Sequence, residues 1–194
     1  MYPSRNEAER LLNEAVEMNP GLWGDHSRVV ARCAEKIAAA CGDMDPEKAY
    51  VLGLLHDYGR KHGPTYLRHV WDGWQDMLAL GFDEVARVCL THSFNTGELG
   101  EYIGMFDVTP AQVQQIREAL AGIQMDDYDR LMQLCDSIAN ADGPVAIEAR
   151  MSDVKRRYGR YPQPKWDKNL ELKRYFEAKM GAELYEVVNG GEGR

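Results

Sequence analysis

Apolar residues recur along this chain at helical spacing, and period-two runs bounded by turn residues are nearly absent. Ser4-Arg-Asn-Glu7 has the form of a capping box and opens a helix to about Asn19, where Pro20-Gly21 ends it. Asp25 is the expected cap of a second helix through about Ala40, with His26, Val30, Cys33 and Ile37 on one face and Cys41-Gly42 closing it. Asp45-Pro46 sets an N-cap and a first-turn proline for a third helix through Ala49, Leu52, Leu55 and His56, expected to continue to Gly63-Pro64. A fourth starts near Thr65, aligns Leu67, Val70, Trp71, Trp74 and Leu78, and stops at Gly81. Asp83 opens a fifth, with Val85, Val88, Cys89 and His92 in its stripe.

The stretch from Ser93 to Val108 breaks this pattern, combining Gly97, Gly100 and Gly104 with Phe94, Tyr102 and Phe106. It reads as a lid over a site or as a packed surface loop. Helices resume after the Thr109–Gln112 capping box, to about Ala121, and again from about Asp127 to Asn140 with Leu131, Leu134, Cys135 and Ile138 inward. Asp142-Gly143-Pro144 separates these from a basic-ended helix closing near Gly159, then a turn at Arg160–Pro164. A final amphipathic stretch carries Trp166, Leu170, Tyr175, Phe176 and Met180, and either packs back on the domain or forms a homodimer contact. The pattern predicts one all-α domain over residues 1–194, with a core at 20–145, an N-terminal helix at 4–19 and a helical C-terminal extension at 146–188.

A length of 194 residues supports one good core rather than two. A net charge of -8 argues against a nucleic-acid backbone as partner but leaves room for a small phosphorylated ligand, which needs only local positive charge. No apolar run approaches the roughly 18 residues of a membrane span. The N-terminal residues lack the apolar centre of an export signal, so a cytoplasmic location and reduced cysteines at 33, 41, 89 and 135 are expected.

Histidine is scarce, with five in all, and three of them (His26, His56, His92) continue apolar stripes on different helices. Asp57 directly follows a nearly unbroken apolar helix, and Asp136 is embedded beside Cys135 and Ile138. Taken singly, each is a core residue with a local hydrogen bond. Together they are much buried polarity for one small core, and a cation using neutral imidazoles would supply the missing charge. His56 and Asp57, being adjacent, should point about 100° apart on a continuous helix, so both must bend to reach one ion.

Asp25-His26-Ser-Arg-Val-Val-Ala, Leu54-Leu55-His56-Asp57-Tyr-Gly-Arg60, Thr91-His92-Ser93 and Leu134-Cys135-Asp136-Ser-Ile-Ala stand in this order, and the chain resembles the HD-domain metal-dependent phosphohydrolases over approximately residues 20–145. The resemblance implies an HD-domain helical bundle and a metal site of His26, His56, Asp57 and Asp136. A second metal, as in the bacterial two-metal members, would be held by His69 and His92 with Asp57 bridging. Carboxylate and imidazole ligands without thiolate favour iron, manganese or a similar divalent ion, so one or two such ions are expected. Arg60 stands where family members often carry a cation; with Asp57 it is the expected catalytic residue, and Arg60, Lys61 and Arg68 are the expected phosphate contacts. His62 reads as a solvated loop residue.

The implied activity is hydrolysis of a small phosphate ester, a nucleotide or dinucleotide, with metal-activated water. A non-catalytic HD-fold module sensing a nucleotide or holding a partner is the alternative, and oxygenase chemistry on similar ligands is a third.

Overall fold

The computed structural model describes residues 1–190, and residues 191–194 lie outside the described part. Among the described residues there are ten α-helices and one two-stranded ladder of minimal length. The helices are α1 (Arg5–Met18), α2 (Trp23–Cys41), α3 (Pro46–Leu55), α4 (Leu67–Ala79), α5 (Asp83–Thr91), α6 (Pro110–Gly122), α7 (Asp127–Ile138), α8 (Ile147–Tyr158), α9 (Gln163–Met180) and α10 (Leu184–Asn189). Between α7 and α8, β1 (Ala139–Asn140) pairs antiparallel with β2 (Gly143–Pro144). The fold is an all-α helical bundle, as the apolar spacing predicts.

The centre of the bundle is α3, whose residues Ala49 to Leu55 are buried without interruption. A helix that is apolar all round has no solvent face and belongs inside. Helix α2 lies along it, and the contact is backbone-close: a Cβ added to Gly53 would sit 2.9 Å from the Ala31 Cα. Asp45 caps α3 by accepting from the amides of Glu47 and Lys48. Helices α1, α5 and α7 also pack against α3.

Several boundaries differ from the sequence expectation. Helix α2 begins at Trp23, two residues before Asp25, because its start is tied to the end of α1 by the Trp23 indole donating to the Asn19 carbonyl at 2.7 Å. Helix α3 stops at Leu55 instead of running to Gly63, and a 3-10 turn over Tyr58–His62 replaces its last part. In α4 the inward face is Leu67, Val70 and Met77, whereas Leu78 is exposed.

The Gly- and aromatic-rich stretch after α5 is anchored rather than open. Phe94, Leu99 and Tyr102 are buried with Leu67, Val70, Leu90, Ile116 and Leu120, forming a second small core between α4, α5 and α6. The C-terminal extension packs back on the bundle. Leu172 and Phe176 of α9 and Leu184 and Val188 of α10 join the main core, while Tyr175 stays exposed.

Candidate metal centre

The 3-10 turn explains how two adjacent side chains serve one site. Asp57, at φ -102° and ψ 17°, leaves the helical conformation immediately after His56. Its carboxylate therefore swings to the side of α3 on which His56 lies, with no bending of long side chains required. The turn is pressed against α4: a Cβ at Gly59 would overlap the His69 carbonyl oxygen. Glycine at this position lets α4 approach closely enough to bring His69 to Asp57.

Helix α5 brings His92, and α7 brings Asp136. These two helices are locked together by Asp129, which is fully buried and accepts from Arg87 of α5 and from the Thr91 hydroxyl at 2.8 Å. The Asp126–Asp129 reciprocal cap fixes the same carboxylate at the start of α7.

Three imidazoles present the same nitrogen inward. His56 Nδ1 donates to the Gly53 carbonyl at 2.7 Å, and His92 Nδ1 to the Cys89 carbonyl at 2.9 Å. His69 Nδ1 donates to the Tyr66 carbonyl. Backbone carbonyls only accept, so each neutral ring carries its proton on Nδ1 and offers a lone pair at Nε2.

The Nε2 atoms of His69 and His92 lie 3.3 Å apart, and they lie 3.3 and 3.6 Å from Asp57 Oδ1. On the other side, His56 Nε2 is 3.8 Å from Asp57 Oδ2 and 4.0 Å from Asp136 Oδ1, and His26 Nε2 is 3.0 Å from Asp136 Oδ1. Two groups of potential ligand atoms result, His26/His56/Asp57 and Asp57/His69/His92, each with its atoms within 4.8 Å of one another. Asp57 belongs to both, and Asp136 adjoins the first.

His56 Nε2 and Asp57 Oδ1 are buried without a hydrogen-bond partner. Lone pairs facing lone pairs away from water cost free energy unless a proton or cation lies between them. Protonation is opposed by the surroundings. Burial pushes the His56 imidazole down to about 4, and burial with the nearby Arg60 charge pushes His69 to about 3. Burial alone would raise Asp57, but Arg60 first, and the histidines after it, hold it well below the usual carboxylate range. His56 and His69 are therefore neutral imidazoles that converge with the ionised Asp57 on a dry spot, a donor set that fits a divalent cation.

Of the expected phosphate contacts, only Arg60 is at the centre. Its Nε donates to Asp57 Oδ2 at 2.5 Å, and its side chain is 32% exposed. Lys61 turns away over the Tyr58 ring and pairs with Asp76 at 3.1 Å. Arg68 is more than half exposed and pairs with Asp72 at 3.3 Å. Neither lines the cleft at the centre. His62 lies on the surface against Asp76.

Two cavities flank the centre, one of about 180 Å³ on the His69/His92 side and one of about 800 Å³ on the His26 side. Their common wall includes Arg60, Asp136, Arg150, Arg157 and Tyr158. Lys165 and Tyr161 line the smaller one. Sequence reading missed every one of these extension residues, because cations on an amphipathic helix look like a solvated face. The one available signal was the seven-residue spacing of Arg150 and Arg157, which returns to the same side of a helix.

No curated protein and no solved structure matches the chain. A family model described as HD domain matches residues 23–141, which takes in all six converging residues and ends before α8. With that match over more than half of its length, the chain belongs to the HD domain family, whose members are generally metal-dependent phosphohydrolases.

Proposed function

We propose that the protein is a metal-dependent phosphohydrolase acting on a small phosphate ester, a nucleotide or dinucleotide. The observation that carries this reading is the convergence of three Nε2 lone pairs on Asp57, with His56 Nε2 and Asp57 Oδ1 buried and unpartnered. His26, His56, Asp57 and Asp136 would hold one divalent ion, and Asp57, His69 and His92 a second. The absence of a cysteine from both groups favours iron(II) or manganese(II). Bound there, such an ion supplies Lewis-acid polarisation of a phosphoryl oxygen and a more acidic water.

The chain's own groups supply the rest. Arg60 keeps Asp57 ionised and presents its remaining N–H groups to the cleft, where a phosphoryl oxygen can accept them. Water adds to phosphorus, the P–O bond to the leaving group breaks, and the departing oxygen keeps the electron pair and takes up a proton.

The test is to purify the protein anaerobically, measure bound metal, and screen phosphate esters with and without added manganese or iron. Metal-dependent release of phosphate or nucleotide is expected. Absence of both metal and hydrolysis would sink the enzyme reading and favour a non-catalytic binding module. For the second ion, His69→Ala or His92→Ala should lower the metal content from about two per chain to one, and unchanged stoichiometry would refute it.

A further inference from the structure

We infer that the C-terminal extension completes the substrate site, with Arg150 and Arg157 of α8 and Lys165 of α9 seating a second phosphoryl group next to the one cleaved. The substrates are then compounds with two or more linked phosphates, such as nucleoside di- or triphosphates or dinucleoside polyphosphates. This rests on the phosphohydrolase reading for the cleaved group, but the anion seat is a separate property and can be measured by itself.

Each of the three cations keeps donors that the protein does not use. The Arg150 side chain has no hydrogen-bond or ion-pair acceptor among the described residues, although it is partly buried. Arg157 gives its Nε to Asp153 at 2.8 Å, which orients the guanidinium and leaves its outer nitrogens free. Lys165 gives one N–H to the Ser93 carbonyl at 2.6 Å and keeps two. Seven residues separate Arg150 from Arg157, so both project from one side of α8. Partly buried guanidinium without an anion is a costly arrangement, and a phosphoryl group offers paired oxygens that its planar fork can bind bidentately.

The charges on the two cavities differ, and this places the second phosphate. The smaller cavity is lined by Arg60, Arg150, Arg157 and Lys165 and by one carboxylate, Asp136; Arg60 and Arg157 are also paired with Asp57 and Asp153, so Arg150 and Lys165 supply its excess positive charge. The larger shares the three arginines but adds Asp25, Asp57, Asp142 and Asp153. An additional anion is favoured on the smaller side, beyond His69 and His92, and opposed on the larger. Because α8 and α9 lie after residue 141, where the family match ends, this wall belongs to the part of the chain that the family's common domain does not include.

The experiment uses the full chain loaded with manganese(II), with the same excess of manganese in cell and syringe. It is titrated calorimetrically with methylenediphosphonate and with methylphosphonate. The expected result is at least about tenfold tighter binding of the diphosphonate, lost in Arg150→Gln and in Arg157→Gln, with methylphosphonate affinity unchanged. Arg150→Lys, which keeps the charge but not the fork, should recover part of the preference and serves if the glutamine variant folds poorly. In parallel, kcat/KM is measured for a nucleoside triphosphate and for 4-nitrophenyl phosphate, and the first should fall by a larger factor than the second in the variants. No diphosphonate preference in the wild type, or a preference that survives both arginine substitutions, overturns the seat. An arginine-dependent preference with no hydrolysis of any substrate would instead leave the seat standing and remove the phosphohydrolase reading.

Discussion

The two walls of the cleft are built on opposite principles. On the bundle wall the imidazoles and Asp57 are buried, with His56, His69 and His92 donating to backbone carbonyls and the helices in backbone contact. On the extension wall, Arg150, Arg157 and Lys165 stand on partly exposed helices, and their cations have spare donors. The first wall cannot shift without unpacking α3, α4 and α5, whereas the second can change its side chains with little effect on the core. A rigid reacting centre facing an adjustable wall is the arrangement expected when chemistry is set by the fold and selectivity by what is attached to it.

Substitutions on the two walls should therefore have different effects, the largest of them at the ligand that both metal groups share. Asp57→Asn removes the charge shared by both ligand groups; metal content should fall toward zero and hydrolysis by roughly a hundredfold or more. Elemental analysis showing full metal content in that variant would mean that Asp57 is not a shared ligand. Asp129→Ala strips the partner from Arg87 and the Thr91 hydroxyl and unties α5 from α7, at a cost of about 1–3 kcal/mol in chemical denaturation. A loss below about 1 kcal/mol would show that the pair does not join the helices carrying His92 and Asp136.

Two glycines make the contrast direct. Gly59→Ala forces a methyl group into the α4 backbone and should cost about 1–3 kcal/mol or more, lowering Tm by roughly 2–4 °C for each kcal/mol. Gly159→Ala, at φ +75° with nothing near its Cβ, should cost only about 1 kcal/mol, the strain of a left-handed residue. Equal melting temperatures for the pair would erase the distinction between the walls.

The smallest effect is on pH dependence. Burial lowers the Lys165 ammonium to about 8, against the opposing pull of Asp136 and then Glu101. Lys165 is thus a cation below that value and neutral above it. Diphosphonate affinity should therefore fall by about two- to fivefold as pH rises through 8, and Lys165→Met should flatten that limb.

Much of the centre was legible in the residue pattern because polar side chains interrupt apolar stripes. His26 with Val30, Cys33 and Ile37, and His92 with Val85, Val88 and Cys89, could only point inward. His69 was less plain, since its face is decided by the Gly59–Gly73 approach between the 3-10 turn and α4. The phosphate contacts were the weakest part. Lys61 and Arg68 are near the site along the chain, yet Asp76 and Asp72 draw them elsewhere. Arg150 and Arg157 are far away along the chain and adjoin the centre in space.

The sequence by itself determined the helical class, most helix limits and the inward set of histidines and aspartates, because periodicity and capping act within a few residues of each other. Only the tertiary structure decided which nitrogen each imidazole offers, how Asp57 joins His56 on one side, and which cations face them. Those outcomes depend on which backbone carbonyl or carboxylate lies across a helix interface, and that neighbour is chosen by packing between segments distant along the chain.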